Sequence, residues 1–508
     1  MISYKDAAKF RQRLETYHDP PRRFQRMTIQ LPAHKTKIVC TIGPASRTAP
    51  ILQEIIRNGM SVARLNFSHG SFHEHRTDIG AIRSAARDMN RSVAILGDLP
   101  GPKIRIGKLE MEPLEIKKGS TLTLTTDSVP GTASLISVSY ARLSESVSPG
   151  SIIYLNDGFI ELKVTDVTPG FVRCTVMTGG SLLSGKGLNL PGAKIFVDPI
   201  TDRDMEIMEF ALAEEVHIFG ISFLETADDI VRAREFASAR DKKIYVIAKI
   251  ERAGAVENIR DILREADAIM IARGDLGVEI PIEEVPAVQK ELIHMANLYS
   301  RPVITATQML ESMVDNARPT RAEVTDVANA IMDGTDAVML SEETAIGRYP
   351  VETVAMMARI ATSFEQEREH IKWSSALQDH LKADLKNRQI SVPDTISLNV
   401  AEASRALATP FILTPTSLGT TPRRISRLKP ESWILAFNDN ERICTFLNFS
   451  YGVYPFLMKT DRERWHEKIL EELTRSGLLR KGDRIILTEG KFSGHFGGTD
   501  SLGIITLP

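Results

Sequence analysis

The chain has 508 residues, room for about three domains of ordinary size and far more than a disulfide-stapled scaffold needs. Its 63 lysines and arginines against 65 aspartates and glutamates leave a formal charge of −2, so no chain-wide field draws it to nucleic acid or to an anionic membrane. A 43% hydrophobic, 25% charged composition excludes disorder and fibrous repeats, and no uncharged apolar run reaches the roughly 18 residues of a membrane span.

Residues 1–34 mix Lys5, Asp6, Lys9 and Arg11 without an apolar stretch, and are expected to be an N-terminal helical segment rather than a leader. Short apolar, β-branched runs then recur at 36–42, 61–67, 93–98, 216–223, 244–250, 268–272, 302–306 and 336–340. Each is apolar throughout, as strands covered on both faces are. Stretches of helical length and period separate nearly all of them, at 48–58, 71–89, 201–215, 226–240, 253–265, 283–299, 320–333 and 350–366. This alternation predicts an α/β chain whose core is a (β/α)8 TIM barrel over 35–102 and 188–366, with its functional site at the C-terminal ends of the strands.

Between the third strand and the helix before the fourth, residues 103–187 carry alternating segments such as STLTLTT, FIELKVTDV and FVRCTVMT, broken by Pro-Gly pairs. They predict a small inserted β-barrel domain. Leaving from a strand's C-terminal end, it is placed to act as a lid. After a polar junction around 366–392 the alternation resumes, predicting a C-terminal α/β domain over 384–508. Cys40, Cys174 and Cys444 lie far apart, fitting neither a zinc site nor a disulfide framework; a reducing cytoplasm is the expected compartment.

Polar residues cluster where a pure core would not put them, at the strand ends. Arg64, Asn66, Ser68 and His69 end the second strand, and Asp98 the third; Lys249 and Glu251 end the fifth, and Arg273, Gly274 and Asp275 the sixth. Thr307 and Gln308 end the seventh; Ser341 and Glu343 end the eighth. Glu251 and Asp275, on neighbouring strands, make a pair of hard oxygen ligands for Mg²⁺ that leaves positions open to substrate oxygens. Lys249, two residues before Glu251, can set an ammonium against a transferring phosphoryl group. A Lys–Glu pair that only closes the rim is the plain alternative for those two residues alone. Gly274 and Asp275 offer backbone N–H groups at a strand-to-helix turn for a carboxylate or phosphate. No Walker or dinucleotide glycine motif follows a strand, so a nucleotide would bind outside those cradles. His73 and His75, two apart on a helix, point away from each other and do not suggest a transition-metal site with His69.

With these residues in order, the chain resembles the pyruvate kinase family across nearly its whole length. The likeness rests on KIVCTIGPAS (37–46), ARLNFSHG (63–70), GPKIRIG (101–107), KGLNLPG (186–192), AKIE (248–251), MIARGDLGVEIP (270–281), ATQMLESM (306–313) and RPTRAEVTDVANAIMDGTDAVMLS (318–341). The resemblance implies phosphoryl transfer from phosphoenolpyruvate to ADP, giving pyruvate and ATP in glycolysis. It implies Mg²⁺ on Glu251 and Asp275, and Lys249 and Arg64 on the phosphoryl oxygens. Gly274, Asp275 and Thr307 would take the substrate carboxylate, and Ser341 with Thr307 would serve protonation of the enolate. Pro44, Asn66, His69, Arg105 and Lys186 would lie on the nucleotide side. A homotetramer is likewise implied. A catalytically idle, metabolite-binding regulatory relative would need a lesion among Arg64, Lys249, Glu251, Asp275 or Thr307, and none is present. A Mg²⁺-dependent lyase would not account for the lid and its Lys186.

The chain also departs from that pattern. Asn66, Ser68, Asp98 and the carbonyl of Leu99 match the family's monovalent-cation positions, but Lys103 stands where K⁺-requiring members usually carry glutamate, so K⁺ is not expected to be required. Glu342 and Ile346 replace a Gly and a Lys of some members. In the C-terminal domain Thr414, Thr416, Ser417, Gly419, Thr420 and Thr421 form a hydroxyl- and glycine-rich turn that, with the loop at 490–499, matches the place where the family binds a phosphorylated allosteric effector.

Overall fold

Eight continuously apolar strands close on themselves. In the computed structural model, which describes residues 29–193, 195–196, 198–367, 376–458, 465–490 and 499–507, they are β1 (Lys37–Thr41), β2 (Met60–Asn66), β3 (Ala94–Asp98), β4 (Ile218–Ile221), β5 (Tyr245–Ile250), β6 (Ala268–Ala272), β7 (Val303–Ala306) and β8 (Ala337–Leu340). They form a closed barrel in chain order. The pairs from β1–β2 to β7–β8 are parallel, as the runs without alternation require. Helices follow the strands close to the expected spans. Short further helices, Arg273–Glu279 and Glu342–Ala345, come directly after β6 and β8, and after β5 Ala253–Glu257 and Ile259–Glu265 are separate helices divided at Asn258, which leaves α geometry (φ −91°, ψ 12°). Their buried residues, Ala255, Ile259, Ile262 and Leu263, keep one apolar face across the break, so periodicity did not reveal it.

The insertion is a curled six-stranded sheet, in the order Leu188–Asn189, Ile152–Leu155, Ile160–Thr168, Phe171–Thr178, Thr121–Thr125 and Leu135–Ser137, with a two-stranded ladder of Leu114–Ile116 and Gly180–Leu182. Its alternation is the cause of its core: Leu122, Leu124, Ile153, Leu155, Ile160 and Leu162 are wholly buried, while Thr121, Thr123, Glu161 and Lys163 between and beside them are not. The outgoing and returning chains meet at its root, where Arg105 bridges Gly187.

A second compact unit holds residues 365–507 together with 29–37. Parallel strands Val453–Leu457, Trp433–Asn438, Phe411–Pro415 and Arg484–Glu489 lie in that order, and Ser501–Thr506 adds an antiparallel edge. The stretch read as a polar junction contains a helix, Ala376–Lys386. Leu377 and Leu381, four residues apart and buried, give it an apolar stripe too narrow to stand out among its charges. The expected N-terminal helix over 1–34 falls almost wholly outside the described residues, as do 491–498 of the expected effector loop. The three cysteines are buried and unpaired with one another, and burial pushes the Cys174 and Cys444 thiols up to about 12. Among the described residues no helix is long and apolar enough to cross a membrane.

One side chain fastens the lid's exit to the barrel. Asp204 closes a capping box with Thr201 at the start of Asp202–Ala213, and its Oδ1 accepts the Gly101 N–H at 3.1 Å. Gly101 has φ +62°, and a Cβ there would stand 3.0 Å from Ser222 Cβ. Asp204→Ala keeps the bond from the N–H of residue 204 to the Thr201 hydroxyl but takes the acceptor from the Thr201 and Gly101 N–H groups, and is expected to cost about 2 kcal/mol, read as a lower urea midpoint; an unchanged midpoint would contradict this account.

Candidate active site

Arg64 leaves β2 and crosses to Asp98 at the end of β3, Nε to Oδ2 2.6 Å, while its Nη1 donates to Thr41 Oγ1 on β1 at 2.9 Å. The other Asp98 oxygen is ion-paired with Lys249 Nζ of β5 at 3.2 Å. Lys249 lies 2.9 Å from Glu251 Oε1 and donates to Ser222 Oγ at 2.7 Å; Ser222 in turn donates to the Leu99 carbonyl at 2.6 Å. Glu251 Oε2 accepts the Phe223 N–H at 2.7 Å. Asp98 and Glu251 are 1% exposed, Arg64 and Lys249 11%.

Burial pulls against the Lys249 ammonium, but Asp98 and Glu251 outweigh it and hold its pKa above the ordinary lysine value. Burial also opposes the Asp98 carboxylate, and Lys249 with Arg64 overcome it, holding that group low. Glu251 goes the other way. Burial, with the Asp275 charge added, exceeds the help from Lys249, so its carboxyl is raised. Glu251 and Asp275, at the ends of neighbouring strands, offer two hard carboxylate oxygens that suit a divalent cation. Among the described residues no group of three or more His, Cys, Asp or Glu is gathered as a metal cage.

Strand β6 runs directly into the helix Arg273–Glu279, with no intervening turn. Asp275 Oδ1 lies 3.2 Å from Nζ of Lys103, on the lid's outgoing segment, and Lys103 stands 4.0 Å from Asp157 of the lid. The Gly274 N–H donates to Thr307 Oγ1 at 2.8 Å, and Thr307 Oγ1 donates to the Ala306 carbonyl at 2.6 Å. Thr307 and Gln308 have φ +67° and +53°. For a β-branched residue this left-handed backbone costs about 1–3 kcal/mol and persists only where the surroundings over-determine it. Arg273 does so, donating to the Thr307 carbonyl at 2.7 Å and the Ala306 carbonyl at 3.1 Å while Asp326 holds it at 2.7 Å.

A chain with this barrel, this lid and this buried charge array matches two family models, "Pyruvate kinase, barrel domain" over residues 33–354 and "Pyruvate kinase, alpha/beta domain" over 394–505. It is 48% identical over 483 residues to a pyruvate kinase of Thermococcus litoralis, covering 94% of this chain and 100% of that one. This chain belongs to the pyruvate kinase family. A pyruvate kinase of Geobacillus stearothermophilus is 44% identical over 477 residues, 92% of this chain and 80% of the relative. The crystal structure of a pyruvate kinase from Cryptosporidium parvum superposes with a TM-score of 0.85 at 35% identity, covering 94% of this chain and 97% of that one. The chain is a phosphotransferase, and phosphoenolpyruvate and ADP are the substrates its family implies.

Set against the pyruvate kinase pattern, the remaining residues fall into four groups. Arg105 and Lys186 stand side by side at the lid's root, where the Ile106 N–H donates to the Lys186 carbonyl at 3.0 Å and Arg105 Nη1 to the Gly185 carbonyl at 2.8 Å. Pro44 and His69 are exposed in the loops after β1 and β2, His73 is exposed and His75 buried, so the three histidines do not converge. The monovalent-cation positions have protein partners: Asn66 Oδ1 accepts the Ser68 N–H at 3.2 Å, the Leu99 carbonyl accepts Ser222, and Asp98 holds Arg64 and Lys249. Glu342 and Ile346 are both exposed, Ile346 at 58%.

In the second unit, Thr414 is wholly buried with its hydroxyl on the Leu435 carbonyl, 3.3 Å, and Thr416 Oγ1 accepts the Gly419 N–H at 3.0 Å. Thr421 is paired with Thr499. Ser417 is exposed and Thr420 half-buried at the start of the helix Thr420–Ser426. The pattern of hydroxyls alone did not separate the turn's inward members from its outward ones.

Sequence reasoning also missed Ser222, Asp157 and the role of Gly220. A Cβ at 220 would stand 3.2 Å from Asp98 Oδ1 and 3.5 Å from Lys249 Cδ, so glycine leaves the space in which those charges meet. Gly220→Ala is expected to lower kcat by about tenfold to a hundredfold through displacement of Lys249, with the folded fraction by circular dichroism unchanged; full turnover would show that this gap is dispensable.

Proposed function

We propose that this chain moves the phosphoryl group of phosphoenolpyruvate to ADP over the mouth of the barrel, with Lys249 and Arg64 neutralising the oxygens of the migrating group. The observation that carries this reading is the buried Arg64–Asp98–Lys249–Glu251 array, which keeps an ammonium charged and fixed in a nearly water-free place. Glu251 and Asp275 would hold Mg²⁺, which when bound supplies charge neutralisation at the phosphoryl and carboxylate oxygens. The substrate carboxylate is taken by the Gly274 and Asp275 N–H groups and the Thr307 hydroxyl; the Gly274 N–H now rests on Thr307 and turns to the incoming anion. Ser341 with Thr307 organises the proton that converts enolate to pyruvate. Pro44, Asn66, His69, Arg105 and Lys186 meet the nucleotide, the last two as the lid over 103–187 closes.

Lys103 gives a positive charge beside Asp275, supporting turnover without K⁺. Ser417 and Thr420 are the hydroxyl residues of the Thr414–Thr421 turn best exposed to a phosphorylated effector. We further read the enzyme as a cytoplasmic homotetramer, on family likeness.

Lys249→Met is expected to lower kcat by several orders of magnitude with little change in phosphoenolpyruvate affinity, since the charge matters most in the transition state; coupled pyruvate assays and binding titration together check it, and unchanged turnover would end the role given to Lys249. Initial rates in K⁺ and in a bulky organic cation should agree for the native enzyme, and Lys103→Glu should make the rate rise with K⁺. A large K⁺ stimulation of the native enzyme would overturn this. A panel of phosphorylated metabolites, tested on the native enzyme and on Ser417→Glu, reads the effector site: an activator that acts on both alike binds elsewhere.

A further inference from the structure

We propose that His75 is a positioning residue for the nucleotide: its buried imidazole fixes the His69 carbonyl and so sets the loop after β2 that presents His69 to ADP. The inference rests on the reading of His69 as a nucleotide-side residue.

His75 opens the second turn of the helix Phe72–Asp88 and is 7% exposed. Its Nε2 lies 2.8 Å from the His69 carbonyl, six residues earlier in the chain. A carbonyl oxygen only accepts, so the ring carries a proton on Nε2 and donates it there. Nδ1 is buried with no hydrogen-bond partner among the described residues, and the ring lies against Phe67 with centroids 4.3 Å apart. The side chain thus makes one apolar contact and one polar contact, and the polar one goes to the loop.

The loop needs that hold. Phe67 is tied to β3 by its N–H on the Asp98 carbonyl at 3.1 Å, and Ser71 is locked in a capping box with Glu74. Between these two points Ser68, His69 and Gly70 are exposed, so packing does not fix them. The His69 N–H reaches the Asn66 carbonyl only at 3.3 Å, and Gly70 is left-handed at φ +78°. A Cβ at Gly70 would stand 3.3 Å from His75 Nε2, so glycine lets the loop lie directly on the ring. The start of the same helix also steadies the loop after β1: Arg47, three residues past Pro44, lies 3.4 Å from Glu74 and 3.4 Å from Asp78. Both loops assigned to the nucleotide rest on this one platform. Arg64 and Lys249, in contrast, are fixed through Asp98. A lesion at 75 therefore falls on nucleotide binding before it falls on the phosphoenolpyruvate side.

Phenylalanine at 75 keeps a ring against Phe67 and removes the hydrogen bond to His69. His75→Phe is expected to weaken ADP about fivefold to tenfold, read as KM and as Kd by titration with Mg²⁺ present, while kcat and the KM for phosphoenolpyruvate change by less than about twofold. His75→Gln places an amide donor near the position of Nε2, and is expected to bind ADP at least about threefold better than the phenylalanine variant. Unchanged ADP affinity in His75→Phe, an equal loss of ADP and phosphoenolpyruvate affinity, or glutamine no better than phenylalanine overturns the proposal. Should the phenylalanine variant fail to fold, Gly70→Ala strains the same contact from the loop side; ADP affinity equal to wild type would likewise overturn it. His69→Ala tests the underlying reading. If it weakens ADP while His75→Phe does not, the positioning role alone fails; if it binds ADP normally, the nucleotide-side reading of His69 fails and the positioning role with it.

Discussion

Asp98 lets two cations share one dry place. Without it, Arg64 and Lys249 would face each other across the barrel mouth with little water to screen them, and Glu251 alone could not balance both. Each Asp98 oxygen answers a different cation, and Ser222 and Phe223 meet the remaining groups of Lys249 and Glu251. Buried charges are stable only as such closed networks; breaking one by removing a partner costs about 3–5 kcal/mol. The same closure is what makes the array useful. A charge that needs no rearrangement when the reacting group gains its own is worth more than one that must first be gathered.

The barrel was open to view because its physical cause is local. Eight apolar runs without alternation can be buried only on both faces, and helices between them leave few arrangements. Strand ends were equally readable: Arg64, Asp98, Lys249 and Glu251 stand where a core would place Val or Ile. What these residues do to one another was not readable. Asp98, read as a monovalent-cation position, is ion-paired with both Arg64 and Lys249, and Lys103, read as standing in for that ion, lies against Asp275. Such pairings depend on side chains from segments up to 172 residues apart, Lys103 with Asp275 being that case. The divided helix at Asn258 and the helix Ala376–Lys386 were hidden for the opposite reason, since in both the apolar face is kept short or continuous and composition carries no mark of the break.

Contacts from several elements hold the root of the insertion in register. Outgoing and returning strands touch at Arg105 and Gly187; Asp204 ties down Gly101, Lys103 reaches Asp275, and Arg252 donates to the Ala193 carbonyl at 3.2 Å. All four contacts lie close to the points where the lid leaves and rejoins the barrel. The insertion's apolar interior is its own, and Lys186 and Arg105 sit together at its root.

On the role proposed for its hydroxyl, Thr307 sets heat tolerance against turnover. Glycine would accept its dihedral angles without strain, and a search among variants for a more durable protein would be drawn to that position. The hydroxyl between Gly274 and Ala306 would be lost in the exchange. A lineage moving to higher temperature is therefore expected to leave 307 alone and to stiffen the neighbourhood instead, through the Arg273–Asp326 pair that already holds it.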